Sequence, residues 1–103
     1  MFPIIIEMQS PESWRESIIT FTRKLRSIFG ERLVRVIALP SPDEQEYESN
    51  VLVVLREVSL EDVRAVVRAA VESGENINPL VVEEGDPAVK VFMAAGGMDV
   101  EID

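Results

Sequence analysis

Residues 29–55 read FGERLVRVIALPSPDEQEYESNVLVVL. Two apolar runs, 33–39 and 51–55, enclose a loop rich in Pro, Asp and Glu. Both runs are short, rich in Val, Ile and Leu, and bounded by turn residues, which is the composition of buried strands. A strand–loop–strand unit therefore sits at the centre of the chain, and the flanking segments have to cover it.

Upstream, Ser10 and Pro11 mark a helix start, because a hydroxyl can cap and proline suits the first helical position. Trp14, Ile18, Phe21, Leu25 and Ile28 then recur at alternating four- and three-residue steps, forming one apolar stripe. Arg15, Arg23, Lys24 and Arg26 fall largely outside it, and Gly30 ends the helix. Residues 2–8 are apolar and read as a short strand or an arm packed on the core. Downstream, Ser59 and Asp62 have the spacing of a capping box. Val63, Val66, Val67, Ala70 and Val71 are the expected buried face of that second helix, closed by Gly74. A third strand is expected over 77–82, with Pro79 at a strand end, a bulge or the sheet edge, since proline cannot donate to a ladder. Asp86-Pro87 opens a short helix to Ala95, and residues 98–102 alternate apolar and acidic as a half-buried edge strand does.

The element order is (β)αββαβαβ in one α+β domain spanning residues 1–103. Two architectures fit that order. One is a mixed sheet flanked by helices, as in nucleotidyltransferases. The other is a ferredoxin-like sandwich, if residues 2–8 form a full strand. Periodicity alone leaves both open.

Composition narrows the chemistry. The 103 residues include no Cys and no His, so disulfides, thiolate metal sites and histidine bases are excluded. Ser41 has no imidazole to activate it, which sets serine hydrolysis aside. No apolar run approaches ~18 residues, the length of a membrane span. The first residues lack the basic start and length of a signal peptide, so the expected location is cytoplasmic. The formal net charge is −9, with a slightly basic first third and a strongly acidic end. A negative overall field disfavours nucleic-acid binding. Arg greatly outnumbers Lys, a usage that fits a thermophilic source.

Phe29-Gly30-Glu31-Arg32-Leu33, Leu39-Pro40-Ser41, Ser49-Asn50-Val51-Leu52 and Asn78-Pro79-Leu80-Val81-Val82 together resemble a minimal nucleotidyltransferase domain of the DNA polymerase β superfamily. The likeness covers about four fifths of the chain, and its scaffold motifs are moderately specific. Where that family has a Gly-Ser pair at the triphosphate, this chain has Pro40 and Ser41, and proline has no N–H to offer. The family's basic Ala-Arg-Gly loop is replaced by Pro42-Asp43-Glu44-Gln45-Glu46. Its Mg²⁺-binding Asp-x-Asp falls on Asn50 and Leu52, and the third carboxylate falls near Asn78. Asn is a weak ligand for a hard cation and Leu is none. The resemblance thus implies a nucleotidyltransferase-like domain that has lost its active site, with no catalytic residue and no cofactor. Small members of the class pair with helical HEPN-type proteins in antitoxin-like modules, or form homodimers. The expected partner is accordingly such a protein or a second copy, with no membrane.

An alternative keeps nucleotide binding or weak activity, with Mg²⁺ held by Asp43, Glu44, Glu46 and Glu48. A solvated loop is the simpler reading of these four, since ordered ligand spacing is lacking. A ferredoxin-like domain sensing a small ligand between protomers is a third possibility. Glu83, Glu84 and Asp86 suit a helix start. The basic residues of the first helix read as a solvated face rather than an RNA surface. Trp14 reads as packing. Tyr47, flanked by charges, is the candidate exposed contact residue.

Overall fold

The computed structural model describes residues 11–102; the 2–8 segment lies outside the described residues. In order, the elements are α1 (Pro11–Phe29), a 3-10 turn (Gly30–Arg32), β1 (Leu33–Ala38), β2 (Val51–Leu55), α2 (Leu60–Ser73), β3 (Pro79–Glu83), α3 (Ala88–Ala94) and β4 (Met98–Asp99). They build one four-stranded sheet in the order β3-β2-β1-β4. β1 runs antiparallel to both β2 and β4, whereas β2 and β3 are parallel. A parallel pair needs a crossover, and α2 supplies it. The ferredoxin-like alternative would require β3 to run antiparallel, beside residues 2–8. Its parallel pairing with β2 instead gives the mixed sheet flanked by helices.

Every residue of β2 is buried, as expected for a strand covered on both faces. Val51, Val53 and Leu55 join Val36 and Ala38 under α1 and α2, where Phe21, Leu25 and Val66 complete the larger cluster. Leu52 and Val54 point the other way, into a smaller cluster with Ile37, Leu39, Ala88 and Phe92 beneath α3. The β1–β2 register shifts between Leu33 and Arg35. Such a bulge sets two successive residues on one side. Leu33 packs with the α1–α2 cluster while Val34 packs on the α3 cluster.

Three expected faces are corrected. Ile28 is 51% exposed, and Phe29 takes the last core position of α1. From Leu25 the helical period favours a step of four over the expected step of three. On α2, Val66, Ala69 and Ala70 are buried, whereas Val67 and Val71 are 47% and 75% exposed. The alanines let α2 lie close to its neighbours. A Cβ at Gly74 would lie 2.7 Å from Ser17 Oγ and 3.1 Å from its Cβ, so the end of α2 passes close to α1 there. The third correction concerns residues 98–102. Only Met98 and Asp99 form a strand, both exposed, and Val100 N–H still donates to Val36 at 2.8 Å. Val100 and Ile102 pack against the α1–α2 cluster.

Other expectations hold. The Ser59–Asp62 capping box is present in both directions. Pro79 opens the edge strand β3, where its missing donor costs nothing. Among the described residues no helix is long and apolar enough to cross a membrane.

Candidate functional site

Of the residues singled out by the family resemblance, Asn50 and Asn78 meet at one end of the sheet, where β1 leaves it and β2 enters. Asn50 is fully buried. Its Nδ2 donates to the Pro42 carbonyl at 3.1 Å and to the Asn76 carbonyl at 2.7 Å. Its Oδ1 accepts from Asn78 N–H at 2.9 Å. The main chain adds to this, with Asn50 N–H donating to Asn78 and Leu39 N–H donating to Asn50. One amide side chain thus ties the β1–β2 loop to the segment that leads into β3. Both amide donors are used, and the oxygen has a partner. Asn50 is a clasp between backbones, and it takes an amide to donate twice and accept once here.

The other positions separate around it. Leu52 is wholly buried in the apolar cluster beneath α3. Pro40 is exposed and approaches Gly96. Ser41 is half-buried, and its carbonyl accepts from Glu44 N–H at 3.3 Å in a turn. Asn78 meets Asn50 through its backbone, at the side-chain contact already given. The cavity adjoining the clasp has about 40 Å³, lined by Ser13, Trp14, Ser17, Pro42, Glu75 and Asn76. Pockets for nucleotide-sized ligands begin at about 300 Å³. Among the described residues no three carboxylates come close enough to hold a metal ion.

At the loop tip, Glu46 and Ser49 exchange backbone hydrogen bonds of 2.8 and 2.9 Å. Between them Tyr47 and Glu48 both have positive φ, 55° and 61°. This is the two-residue hairpin turn that normally takes Asn-Gly, since both central residues are left-handed. Tyr47 is 61% exposed at the apex. The sequence gives no Asn-Gly signal for this turn, so it could not be foreseen.

A larger groove of about 470 Å³ lies elsewhere, between α1 and residues 98–102. Trp14, Ile18 and Ile19 form one wall, Val100 and Ile102 the other, with Arg15 and Arg23 at the rim. Trp14 Nε1 donates to the Leu39 carbonyl at 2.8 Å, which satisfies the buried indole N–H and fixes the ring.

Two ion pairs lock the scaffold. Arg35 grips Asp99 with two bonds, Nε to Oδ1 at 2.9 Å and Nη2 to Oδ2 at 2.8 Å. This fork holds the Asp99 carboxyl below its usual range, against a smaller opposing effect of burial. Arg32 bonds to Asp62 and also donates to the Glu57 carbonyl. The Arg32 hydrogen bond is the largest cause of the lowered Asp62 carboxyl, with the Ser59 cap contributing. Glu83 accepts from Val58 N–H at 3.3 Å, and Asp86 accepts from Ala88 N–H at 2.8 Å, so these acids serve loop and helix ends. On α1, Arg15, Arg23 and Arg26 are exposed, and Lys24 pairs with Glu72 at 3.7 Å.

Comparison with protein-family models, curated proteins and solved structures finds no match to the chain.

Proposed function

We propose that the chain is a nucleotidyltransferase-like domain without nucleotidyl-transfer chemistry that works through a protein interface, as an antitoxin-like or regulatory module. The observation that carries this reading is Asn50. The family resemblance would set a metal ligand there, yet its side chain is spent on the backbones of Pro42, Asn76 and Asn78. Leu52, the second aligned position, is sealed under Phe92 in the α3 cluster. A divalent cation needs anionic oxygens free to turn toward it, and neither position supplies one.

A surface for a protein partner is available on α2. Leu60, Val67 and Val71 lie on one side of the helix, and Leu60 is 66% exposed. Glu72, paired with Lys24 of α1, lies about a third of a turn away from them. Apolar side chains grouped this way favour contact with another protein. The partner on this reading is a small helical protein of HEPN type or a second copy of the chain.

Thermal unfolding with ATP, CTP or GTP plus Mg²⁺ tests the chemistry. The expected outcome is no shift at millimolar nucleotide, because a ligand bound to the folded state must stabilise it. A Mg²⁺-dependent rise, lost on neutralising Asp43, Glu44, Glu46 and Glu48, would favour the nucleotide-binding alternative. Light scattering of the wild type and of a Val67→Lys/Val71→Lys variant tests the interface. A dimer that this variant dissociates identifies the second copy as partner. A monomer in both cases leaves the helical protein, to be tested by co-purification with the product of the neighbouring reading frame.

A further inference from the structure

We infer that two copies of the chain pair through the open edge of β3, antiparallel and about a two-fold axis at Val81, with the apolar stripes of their α2 helices meeting beside it. Among the described residues β3 is an outer strand of the sheet. Its Pro79, Leu80, Val81 and Val82 are half-buried, whereas all of β2 is buried. An open edge presents unpaired N–H and C=O groups that a further strand can satisfy.

The backbone selects the occupant. Glu84 N–H donates to the Leu55 carbonyl at 2.8 Å, in the parallel register that sets Leu55 beside Glu83. Backbone groups alternate sides along a strand. Leu80 and Val82 therefore turn theirs to β2, and Pro79, Val81 and Glu83 turn theirs outward. Pro79 has no N–H, and the Glu83 carbonyl accepts from Asp86 N–H at 3.1 Å. What the edge offers is the Val81 N–H and C=O, the Pro79 C=O and the Glu83 N–H. In an antiparallel pair centred on Val81, each Val81 N–H donates to the Val81 carbonyl of the other copy. Each Glu83 N–H donates to the Pro79 carbonyl facing it. The donor that proline lacks falls opposite the acceptor that Asp86 already occupies, so no outward group is left over. Centring the pair on Leu80 would set Pro79 opposite Val81 and leave the Val81 carbonyl without a donor. A strand that reads the edge this closely is β3 itself, and the pairing closes as a two-fold dimer.

The side chains agree. Glu83 faces Pro79 across the axis, so no like charges meet. Leu80 faces Val82, which brings apolar side chains together on the α3 side. On the other side α2 packs against β3 and α1 against β1, so the flank of α2 turned from α1 overlooks the edge. Around α2, the buried Val66, Ala69 and Ala70, the Glu72 that pairs with Lys24, and the stripe of Leu60, Val67 and Val71 stand about a third of a turn apart. The stripe is thus on the overlooking flank, and the two-fold axis sets it against its copy. The inference rests on the interface reading above for this stripe, and deepens it by naming the occupant and its register.

Three measurements on the full chain test it. Light scattering should find a dimer. Val81→Pro removes the outward N–H and leaves the β2 ladder intact. With its helical content unchanged, this variant should raise the dimer Kd by about tenfold or more, since two hydrogen bonds are lost per dimer. The chain has no cysteine, so an introduced thiol has no background. Opposed Val81 residues stand about 5.5 Å apart at Cα, within disulfide reach, so Val81→Cys should give a covalent dimer under mild oxidation. Leu80→Cys alone should not, but mixed with Val82→Cys it should cross-link. A monomer by light scattering overturns the inference and leaves the interface reading to a helical partner. A dimer in which Val81→Cys cross-links no better than Leu80→Cys overturns it too, because the copies then meet elsewhere. If Val81→Pro fails to fold, the cysteine pattern decides. Stabilisation by nucleotide and Mg²⁺ would count against the reading above and leave this dimer standing.

Discussion

Tyr47 and Asn50 stand three residues apart in one loop and have opposite fates. Asn50 is fully buried, and its side chain meets three backbone groups. Tyr47 is exposed, on a left-handed backbone that a tyrosine adopts only at a cost. The contrast shows that a motif position carries its chemistry only while its side chain is free. Asn50 lies where the resemblance expects a metal ligand, but its amide is committed to folding. Tyr47 matches no motif and is free to touch something else.

The comparison breaks most visibly at Asn50. Asn50→Leu strands the Asn78 N–H and two carbonyls, and should destabilise by roughly 3 kcal/mol in denaturant unfolding. Asn50→Asp sets a negative charge against the carbonyls of Pro42 and Asn76. The expected outcome is loss of stability at neutral pH, partly recovered in acid. Burial beside carbonyls raises the folded pKa of that new carboxyl above its unfolded value, so protonation favours the folded state. Mg²⁺ should leave this variant's Tm unchanged if the site is structural.

A smaller effect is expected at the α2 cap. Ser59→Ala removes the hydroxyl that accepts from Asp62 N–H and should cost about 1 kcal/mol. At the loop tip the sign reverses. Replacing Tyr47-Glu48 by Asn-Gly relieves two left-handed residues and should stabilise by about 0.5–1 kcal/mol. If the tip is a contact site, the same variant loses partner binding while gaining Tm, which sharpens the contrast with Asn50. Smallest is the Arg35–Asp99 fork, an exposed pair in the range of about 0.2–1 kcal/mol. The folded Asp99 carboxyl is lowered, so its contribution is present above the unfolded carboxylate pKa of about 3.9. It fades as pH falls through the lower folded value. Asp99→Asn should therefore reduce Tm at pH 7 and match the wild type in strong acid.

Much of the scaffold was legible because its signals are local. The stripe from Trp14 to Leu25, the Ser59–Asp62 box, the all-apolar β2 and the leading Pro79 each follow from a period or a cap. The misplaced faces were of another kind. Valine is more apolar than alanine, so pattern alone put Val67 and Val71 inward, whereas close packing favoured Ala69 and Ala70. For residues 98–102, alternation was read correctly at Val100 and Ile102 but overstated the strand. Of the positions that the resemblance singles out, Asn50 and Asn78 meet, whereas Pro40, Ser41 and Leu52 stand apart from them, and the clasp itself was invisible. Its partners are carbonyls and an N–H from residues 42, 76 and 78, and no side-chain spelling announces them.

The extra residue in β1 has a consequence for how the chain begins its sheet. Strict alternation back from Val36 would turn Leu33 toward Phe92. The irregularity between Leu33 and Arg35 sends Leu33 instead toward Phe21 and Leu25. A single inserted residue thereby lets Leu33 and Val36 share the α1 side while Val34 and Arg35 both turn toward α3, and deleting Val34 would restore strict alternation with Leu33 still facing α1.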